Sequence, residues 1–129
     1  MRPNPSVLAI CSEFSDFSSI AANLAGNGIR AGHARDIDEA VASRKLISYD
    51  AILCETDRLS WRAALDSLIE AAPAAAVILM ARHADEHLWV DMLQAGAFDV
   101  VEKPYRPEDL RWVVTAAVGR NVNLQRMTA

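Results

Sequence analysis

The feature that most constrains this chain is a fivefold alternation of short apolar runs with longer amphipathic stretches. Continuous apolar runs are typical of strands buried on both faces, and apolar residues at helical spacing are typical of the helices that cover them. The predicted strands are residues 7–11, 29–34, 49–54, 76–80 and 98–101. The predicted helices are residues 16–25, 36–45, 61–72, 85–95 and 107–119. The pattern therefore predicts an α/β protein with a parallel sheet.

Right-handed crossovers between parallel strands leave few ways of ordering such a sheet. Five strand–helix units in 129 residues predict a flavodoxin-like, doubly wound (βα)5 sandwich of three layers, with five parallel strands in the order 2-1-3-4-5. Residues 1–129 are expected to form one domain with its core at about 6–119. The polar residues 120–129 are expected to form a flexible tail.

Local signals mark where the predicted helices begin and end. Ser15 and Ser60 are expected to cap the first and third helices, and Asp36 begins a capping-box-like start for the second. Gly28 and Gly96 are expected to terminate the helices that precede them.

Charge and hydropathy exclude several functions. The net charge of −4 and the pI of about 5.3 argue against a nucleic-acid-binding surface and against an electrostatic membrane anchor. No segment approaches the ~20 apolar residues of a membrane span, and the apolar run near the N-terminus is too short for a signal peptide. Two cysteines do not make a disulfide framework. We therefore expect a cytoplasmic protein.

Functional side chains of a doubly wound sheet lie at the carboxyl ends of its strands. Because predicted strands three, four and five are neighbours, Glu55 and Lys103 should converge there. The residues that the strand ends deliver to this edge are Cys11, Ser12, Glu13, Glu55, Ala81 and Lys103.

Two segments carry a resemblance to a known family. Residues 95–105 (AGAFDVVEKPY) resemble the strand-five signature of the receiver domains of two-component response regulators, and residues 49–55 (YDAILCE) resemble the strand that carries the phosphoacceptor. The resemblance extends over about residues 6–119. It implies a signalling module whose partners include a histidine kinase or another regulator.

The departures from the family fall on its chemistry. Receivers bind Mg²⁺ with an acidic pair after strand one, where this chain has Cys11 and Ser12, with Glu13 too far along to replace them. Glu55 matches the phosphoacceptor aspartate, and Ala81 matches the phosphate-binding hydroxyl residue. Val100 matches the switch aromatic, Leu59 matches a loop proline, and Lys103 is retained. We therefore predict no enzymatic activity, no cofactor, and weak or absent Mg²⁺ binding.

Four interpretations of this edge remain open. In the first, Glu55 and Lys103 form a permanent ion pair that holds the protein in one conformation. In the second, they merely neutralise a pocket that has lost its chemistry. The second is favoured, because an exposed ion pair contributes only ~0–1 kcal/mol to stability. Alternatively, a phosphoryl group is taken up by an unusual route, for example on Asp57. A small-ligand-binding flavodoxin-like domain is less favoured, because no phosphate-binding glycines follow strand one.

Two further clusters were weighed as sites. His83, His87 and Asp91 have the spacing of one helix face, but no fourth metal ligand accompanies them. Cys11 and Cys54 end neighbouring strands, but they lack a CxxC spacing and a basic neighbour, and Cys54 should lie in the core.

Apolar residues on the last two helices exceed what one buried face needs. Trp61 falls on the core face of helix three, whereas Trp112 points away from the apolar stripe of helix five. We therefore predict an interface on helix four, strand five and helix five, used for a protein partner or for homodimerisation. Its predicted residues are Trp89, Trp112, Leu88, Tyr105, Arg106 and Arg111.

Overall fold

The structure, a computed structural model, describes the backbone of residues 4–128 and the side chains of residues 4–120. The strands are β1 (Ser6–Ile10), β2 (Arg30–Ala34), β3 (Ala51–Glu55), β4 (Ala76–Arg82) and β5 (Asp99–Lys103). The helices are α1 (Phe14–Ala25), α2 (Ile37–Ala42), α3 (Trp61–Ala71), α4 (Glu86–Gln94) and α5 (Pro107–Thr128), and a single 3-10 turn lies at Leu46–Ser48.

The five strands form one parallel sheet in the order β2-β1-β3-β4-β5, so the predicted flavodoxin-like topology is confirmed. The register places Ile10 beside Cys54 and Glu55 beside Met80. Within the described residues, no helix has both the length and the apolar character needed to cross a membrane.

Two apolar layers cover the two faces of the sheet. On one face, Trp61, Leu65 and Leu68 of α3 pack with residues of α4 against alternate strand positions. On the other face, residues of α1 and α5 such as Leu24 and Leu110 pack against the remaining positions. Successive strand side chains point to opposite faces, which is why the strands read as continuously apolar.

Helix starts agree only in part with the predicted caps. The Asp36 carboxylate accepts a hydrogen bond from the Glu39 N–H at 2.8 Å, as expected of the cap of α2. The cap of α1 is Glu13 rather than Ser15, because the helix begins at Phe14. At α3, Ser60 occupies the cap position, as predicted, but its side chain makes no capping hydrogen bond, because its hydroxyl donates to Asp57 Oδ1 instead.

Glycines end two helices as predicted, and a third supports a close contact. Gly28 (φ 72°) and Gly96 (φ 117°) adopt the left-handed backbone that ends α1 and α4. Gly32 of β2 lies directly beneath the Tyr49 ring, so closely that a Cβ atom there would overlap the Tyr49 hydroxyl.

Two predicted helix ends are wrong. The helix α2 ends at Ala42 rather than near Lys45, and the 3-10 turn at Leu46–Ser48 follows it. The helix α5 continues past the predicted end near Gly119 to Thr128, because a glycine inside a helix weakens it without stopping it and no proline follows. The flexibility predicted for residues 120–129 falls mostly on positions whose side chains lie outside the described part of the chain.

Candidate functional site

Strand alternation brings three charged side chains together at the carboxyl edge of the sheet. Glu55 ends β3, Lys103 ends β5, and Arg82 ends β4 between them. Each of them lies two positions after a strand residue that packs against α1 and α5. Because strand side chains alternate, all three side chains lie on the face of the sheet that α1 and α5 cover. They line the same open cleft.

The predicted convergence of Glu55 and Lys103 is confirmed. Lys103 Nζ donates to Glu55 Oε2 at 2.6 Å. The Lys103 side chain is 13% exposed and the Glu55 side chain 30% exposed, so the pair lies at the border between the core and water. The peptide bond from Lys103 to Pro104 is cis.

The segment after β1 offers little to a metal ion. The Cys11 side chain is buried at 2% exposure, whereas Ser12 and Glu13 are exposed. Glu13 is the cap of α1, and its carbonyl oxygen accepts the N–H groups of Asp16 and Phe17. Neither Ser12 nor Glu13 lines a cleft together with Glu55.

Two positions that carry polar or aromatic side chains in receivers belong to the core in this protein. Ala81 is 1% exposed and Val100 is 2% exposed, and both pack in the layer formed by α3 and α4. Ala81 has no side-chain hydrogen-bond donor that could bind a phosphoryl group.

Asp57 lies in the loop after β3, and its carboxylate accepts hydrogen bonds from other residues of that loop. Its Oδ1 accepts from the Leu59 N–H at 2.9 Å and from the Ser60 N–H and Ser60 Oγ, both at 2.8 Å. These hydrogen bonds hold the pKa of the exposed Asp57 carboxyl below its usual value, and the bond from the Ser60 hydroxyl has the largest effect.

Arg58 joins this loop to the segment that precedes α4. Its Nη2 donates to the His83 carbonyl oxygen at 3.0 Å and to Asp85 Oδ2 at 2.9 Å. The other oxygen of Asp85 caps α4 by accepting the Leu88 N–H at 2.8 Å. Together the two loops wall a cleft of about 450 Å³ that also contains Glu55 and Lys103.

Arg82, Arg58 and Thr56 were not identified from the sequence. The predicted strand four ended at Met80, so Arg82 was placed in a loop, although it shares the parity of Met80 on the strand. Thr56 lines the cleft, and its hydroxyl oxygen is buried without a hydrogen-bond partner among the residues that the structure describes. Arg58 gave no signal, because its partners are distant in sequence.

The residues at this edge do not fit a receiver-type Mg²⁺ site. Mg²⁺ prefers an octahedral set of oxygen ligands that includes one or two carboxylates. Glu55 is bound by Lys103, and Asp57 is bound by the start of α3. Across residues 4–120, no group of three His, Cys, Asp or Glu side chains is arranged to hold a metal ion.

The metal site weighed on helix four has the wrong geometry. His83 lies before α4, which begins at Glu86, and has a left-handed backbone (φ 53°). It therefore does not continue the helix face that carries His87 and Asp91.

Both cysteines are buried thiols in unreactive surroundings. Burial, with a smaller contribution from the Glu55 carboxylate, raises the pKa of Cys11 to about 11 and that of Cys54 to about 12. Cys54 lies in the core, as predicted. The thiolate is the reactive form, so this environment does not favour redox chemistry.

The predicted interface is only partly exposed. Trp112 is 79% exposed, as its helix position indicated, and Trp61 is buried, also as predicted. Trp89 is half-buried. Leu88 is only 7% exposed and packs in the core, so its assignment to the interface is wrong: α4 is rotated so that Leu88 and Met92 face the sheet.

Tyr105 and Arg106 contribute to the same surface. Tyr105 is half-buried and Arg106 is exposed, and both line a groove between Trp89 and Trp112. Arg111 lies on the opposite side of Trp112, where its Nη1 donates to Asn23 Oδ1 at 2.7 Å and helps to attach α5 to α1.

Solved structures that are similar to this chain include response regulator proteins. NtrX from Brucella abortus, solved in complex with ADP, aligns with 97% of this chain at a TM-score of 0.81 and 23% identity, and the chain spans only 28% of that structure. A response regulator receiver domain protein from Clostridium thermocellum aligns at a TM-score of 0.80 and 23% identity. The alignment covers 93% of this chain and 98% of that structure. A response regulator from Thermotoga maritima aligns at a TM-score of 0.76 and 22% identity. That alignment covers 90% of this chain and 98% of the other structure.

Comparisons with protein-family models and with curated protein sequences find no match. At 22–23% identity the structural likeness shows the fold alone. The protein therefore has the fold of response-regulator receiver domains.

Proposed function

We propose that this receiver-like domain transmits a signal through protein–protein contact and without phosphorylation. The observation that carries the proposal is the 2.6 Å contact between Lys103 Nζ and Glu55 Oε2. In a phosphorylated receiver the lysine would bind the phosphoryl group. In this protein the lysine is already bound to the carboxylate that stands in the acceptor position.

The surroundings of this pair also oppose phosphoryl transfer. The reaction needs a carboxylate nucleophile, a divalent cation and hydrogen-bond donors for the developing negative charge. Glu55 is neutralised by Lys103, Ala81 has no donor, and the residues after β1 do not supply a metal site. Losing these contributions together removes most of what makes the reaction fast.

Phosphorylation on Asp57 is the second candidate. Asp57 is exposed and lines the same cleft, which favours its access to a phosphoryl donor. However, its Oδ1 accepts three hydrogen bonds from Leu59 and Ser60, which precede α3, and its lowered pKa makes it a weaker nucleophile. A third candidate, a small-ligand site in the cleft of about 450 Å³, is favoured only by the buried hydroxyl of Thr56.

The proposal places the contact surface on α4, β5 and α5 and the protein in the cytoplasm. An exposed tryptophan such as Trp112 is costly in water and is typical of interface hot spots. A net charge of −4 does not suit direct binding to nucleic acid. The partner is a histidine kinase, another regulator or a second copy of the chain.

Intact mass spectrometry after incubation with acetyl phosphate and Mg²⁺ tests the proposal. We expect no added phosphoryl group on the native protein. The matched variants are Glu55→Asp, which restores the usual acceptor, and Asp57→Asn, which removes the alternative one. A stable single adduct on the native protein would overturn the proposal, and its loss in Asp57→Asn would identify Asp57 as the acceptor.

A further inference from the structure

The groove between α4 and α5 combines aromatic walls with an acidic lining. It has a volume of about 470 Å³, with Trp89 on one side, Trp112 on the other and β5 along its floor. Among its lining residues are three carboxylates, Asp99, Glu102 and Asp109, and one cation, Arg106.

The described part of the chain does not neutralise these carboxylates. Among the residues that the structure describes, the Asp99 carboxylate accepts only the N–H of its neighbour Val100, at 2.8 Å. The side chains of Glu102 and Asp109 are exposed and form no hydrogen bond or ion pair with other described residues. Three negative charges therefore face one positive charge in the groove.

This chemistry selects one kind of occupant. An aliphatic partner would cover the tryptophans and remove water from unpaired carboxylates, which is costly. An acidic partner would be repelled. A lysine or arginine side chain is attracted both by the face of a tryptophan ring and by the carboxylates, and a guanidinium can bind a carboxylate through two hydrogen bonds.

A second copy of the chain fits the groove poorly. In a two-fold symmetric dimer the same patch meets itself. The three carboxylates of one copy would then approach those of the other, with a single arginine on each side to offset them.

Resting on the proposed function, we propose that this groove binds a lysine or arginine side chain from a basic segment of a partner protein. The cation lies against the Trp112 and Trp89 rings, and Glu102 and Asp109 pair with it. Glu102 and Asp109 thereby determine which partner binds, whereas Trp112 provides most of the contact area.

Titration of the full chain with an acetylated, amidated tetra-arginine peptide tests this assignment. Tryptophan fluorescence and calorimetry follow binding at low ionic strength, and tetra-glutamate serves as the control peptide. We expect saturable binding of tetra-arginine that weakens with added salt, and no binding of tetra-glutamate. The Glu102→Gln/Asp109→Asn variant should bind about tenfold more weakly, and Trp112→Leu should lose most of the fluorescence response.

The matched control is Asp66→Asn/Glu70→Gln. It removes two exposed charges from α3, whose residues are distant in sequence from those that line the groove. It should bind as the native protein does, within about twofold. Equal weakening in both double variants would mean general attraction to an acidic protein, and no binding at all would mean that the groove is not a basic-segment site; either result overturns the assignment.

Sedimentation velocity separates the remaining outcome. Self-association that Trp112→Leu abolishes would assign the groove to a second copy and would also overturn this inference. None of these failures affects the proposed function, which is overturned only by a phosphoryl adduct on the native protein.

Discussion

Lys103 and Glu55 lie 48 residues apart in the sequence, and Nζ of the first is 2.6 Å from Oε2 of the second. The contact joins the ends of β5 and β3 across β4, which separates them in the sheet. It therefore connects three consecutive strands at the edge where a receiver would be phosphorylated.

The first prediction concerns the strength of this pair. Replacing Lys103 with Met should lower the free energy of unfolding by about 1 kcal/mol or less, because a partly solvated ion pair offsets little more than the cost of ordering its side chains. Urea denaturation measures the change. The control is Lys45→Met, which removes an exposed lysine without an ion pair among the described residues.

Partner binding by Lys103→Met then separates the two interpretations of the pair. Unchanged stability together with unchanged binding would count against a locking role for the pair. A loss of partner binding in a folded variant would support that role.

The second prediction concerns the contact of Gly32 with Tyr49. A methyl group at position 32 would overlap the Tyr49 hydroxyl, so Gly32→Ala should destabilise the protein by about 1–3 kcal/mol, as overpacking usually does. Adding Tyr49→Leu should recover part of the loss, because leucine lacks the overlapping atoms. Thermal unfolding followed by circular dichroism measures both effects.

The matched control for Gly32→Ala is Gly119→Ala, which should have the opposite sign. Gly119 lies inside α5 with nothing within 4 Å of its would-be Cβ, so alanine should stabilise the helix by about 0.5–1 kcal/mol. Equal effects of the two substitutions would contradict the overlap at Gly32.

The third prediction is an acid-dependent loss of stability. Hydrogen bonds from Ser60 and Leu59 lower the pKa of Asp57, and hydrogen bonds from Leu88 and then Arg58 lower that of Asp85, both from an ordinary value of 3.8. Because each folded pKa lies below the unfolded one, the stabilisation is complete above the unfolded value and is lost as pH falls through the folded value.

Urea midpoints between neutral and strongly acid pH test this dependence. We expect the urea concentration at the midpoint to decrease as the pH falls below about 4. The decrease should be less steep in Asp57→Asn/Asp85→Asn, since asparagine can still accept hydrogen bonds but does not titrate. Asp66→Asn, on the exposed side of α3, serves as the control and should keep the native slope. An unchanged slope in the double variant would assign the acid sensitivity to other carboxyl groups.

The fourth prediction concerns the thiols. With pKa values of about 11 and about 12, Cys11 and Cys54 should react slowly with an aromatic disulfide reagent at mildly alkaline pH, and both should react at once in strong urea. Absorbance of the released thiolate counts the reacting groups. Rapid reaction of Cys11 in the folded protein would show that the edge after β1 opens to solvent.

The sequence was sufficient for the strand order and for the meeting of Glu55 and Lys103. Both follow from local patterns: apolar runs define strands, a strand alternates its faces, and parallel strands end at one edge. The buried Trp61 and the exposed Trp112 follow in the same way from positions on a helix. The predicted cap at Ser15 is wrong because α1 begins at Phe14 rather than at Asp16, and the Ser60 hydroxyl donates to Asp57 instead of capping α3.

The sequence was not sufficient for contacts that depend on how elements are placed. Leu88 and Trp89 are consecutive apolar residues of α4, and only the rotation of the helix against the sheet decides that Leu88 is buried and that Trp89 lines a groove. The bond from Arg58 to Asp85 depends on the paths of two loops.

By itself, the sequence determined a parallel five-stranded sheet, its order and the residues at the carboxyl ends of the strands, because periodicity and strand-end position are local properties of a chain. Only the tertiary structure decided which side chains share that edge and which line the groove beside Trp112. Those contacts join residues that are distant in sequence, and their distances follow from the packing of all the elements together.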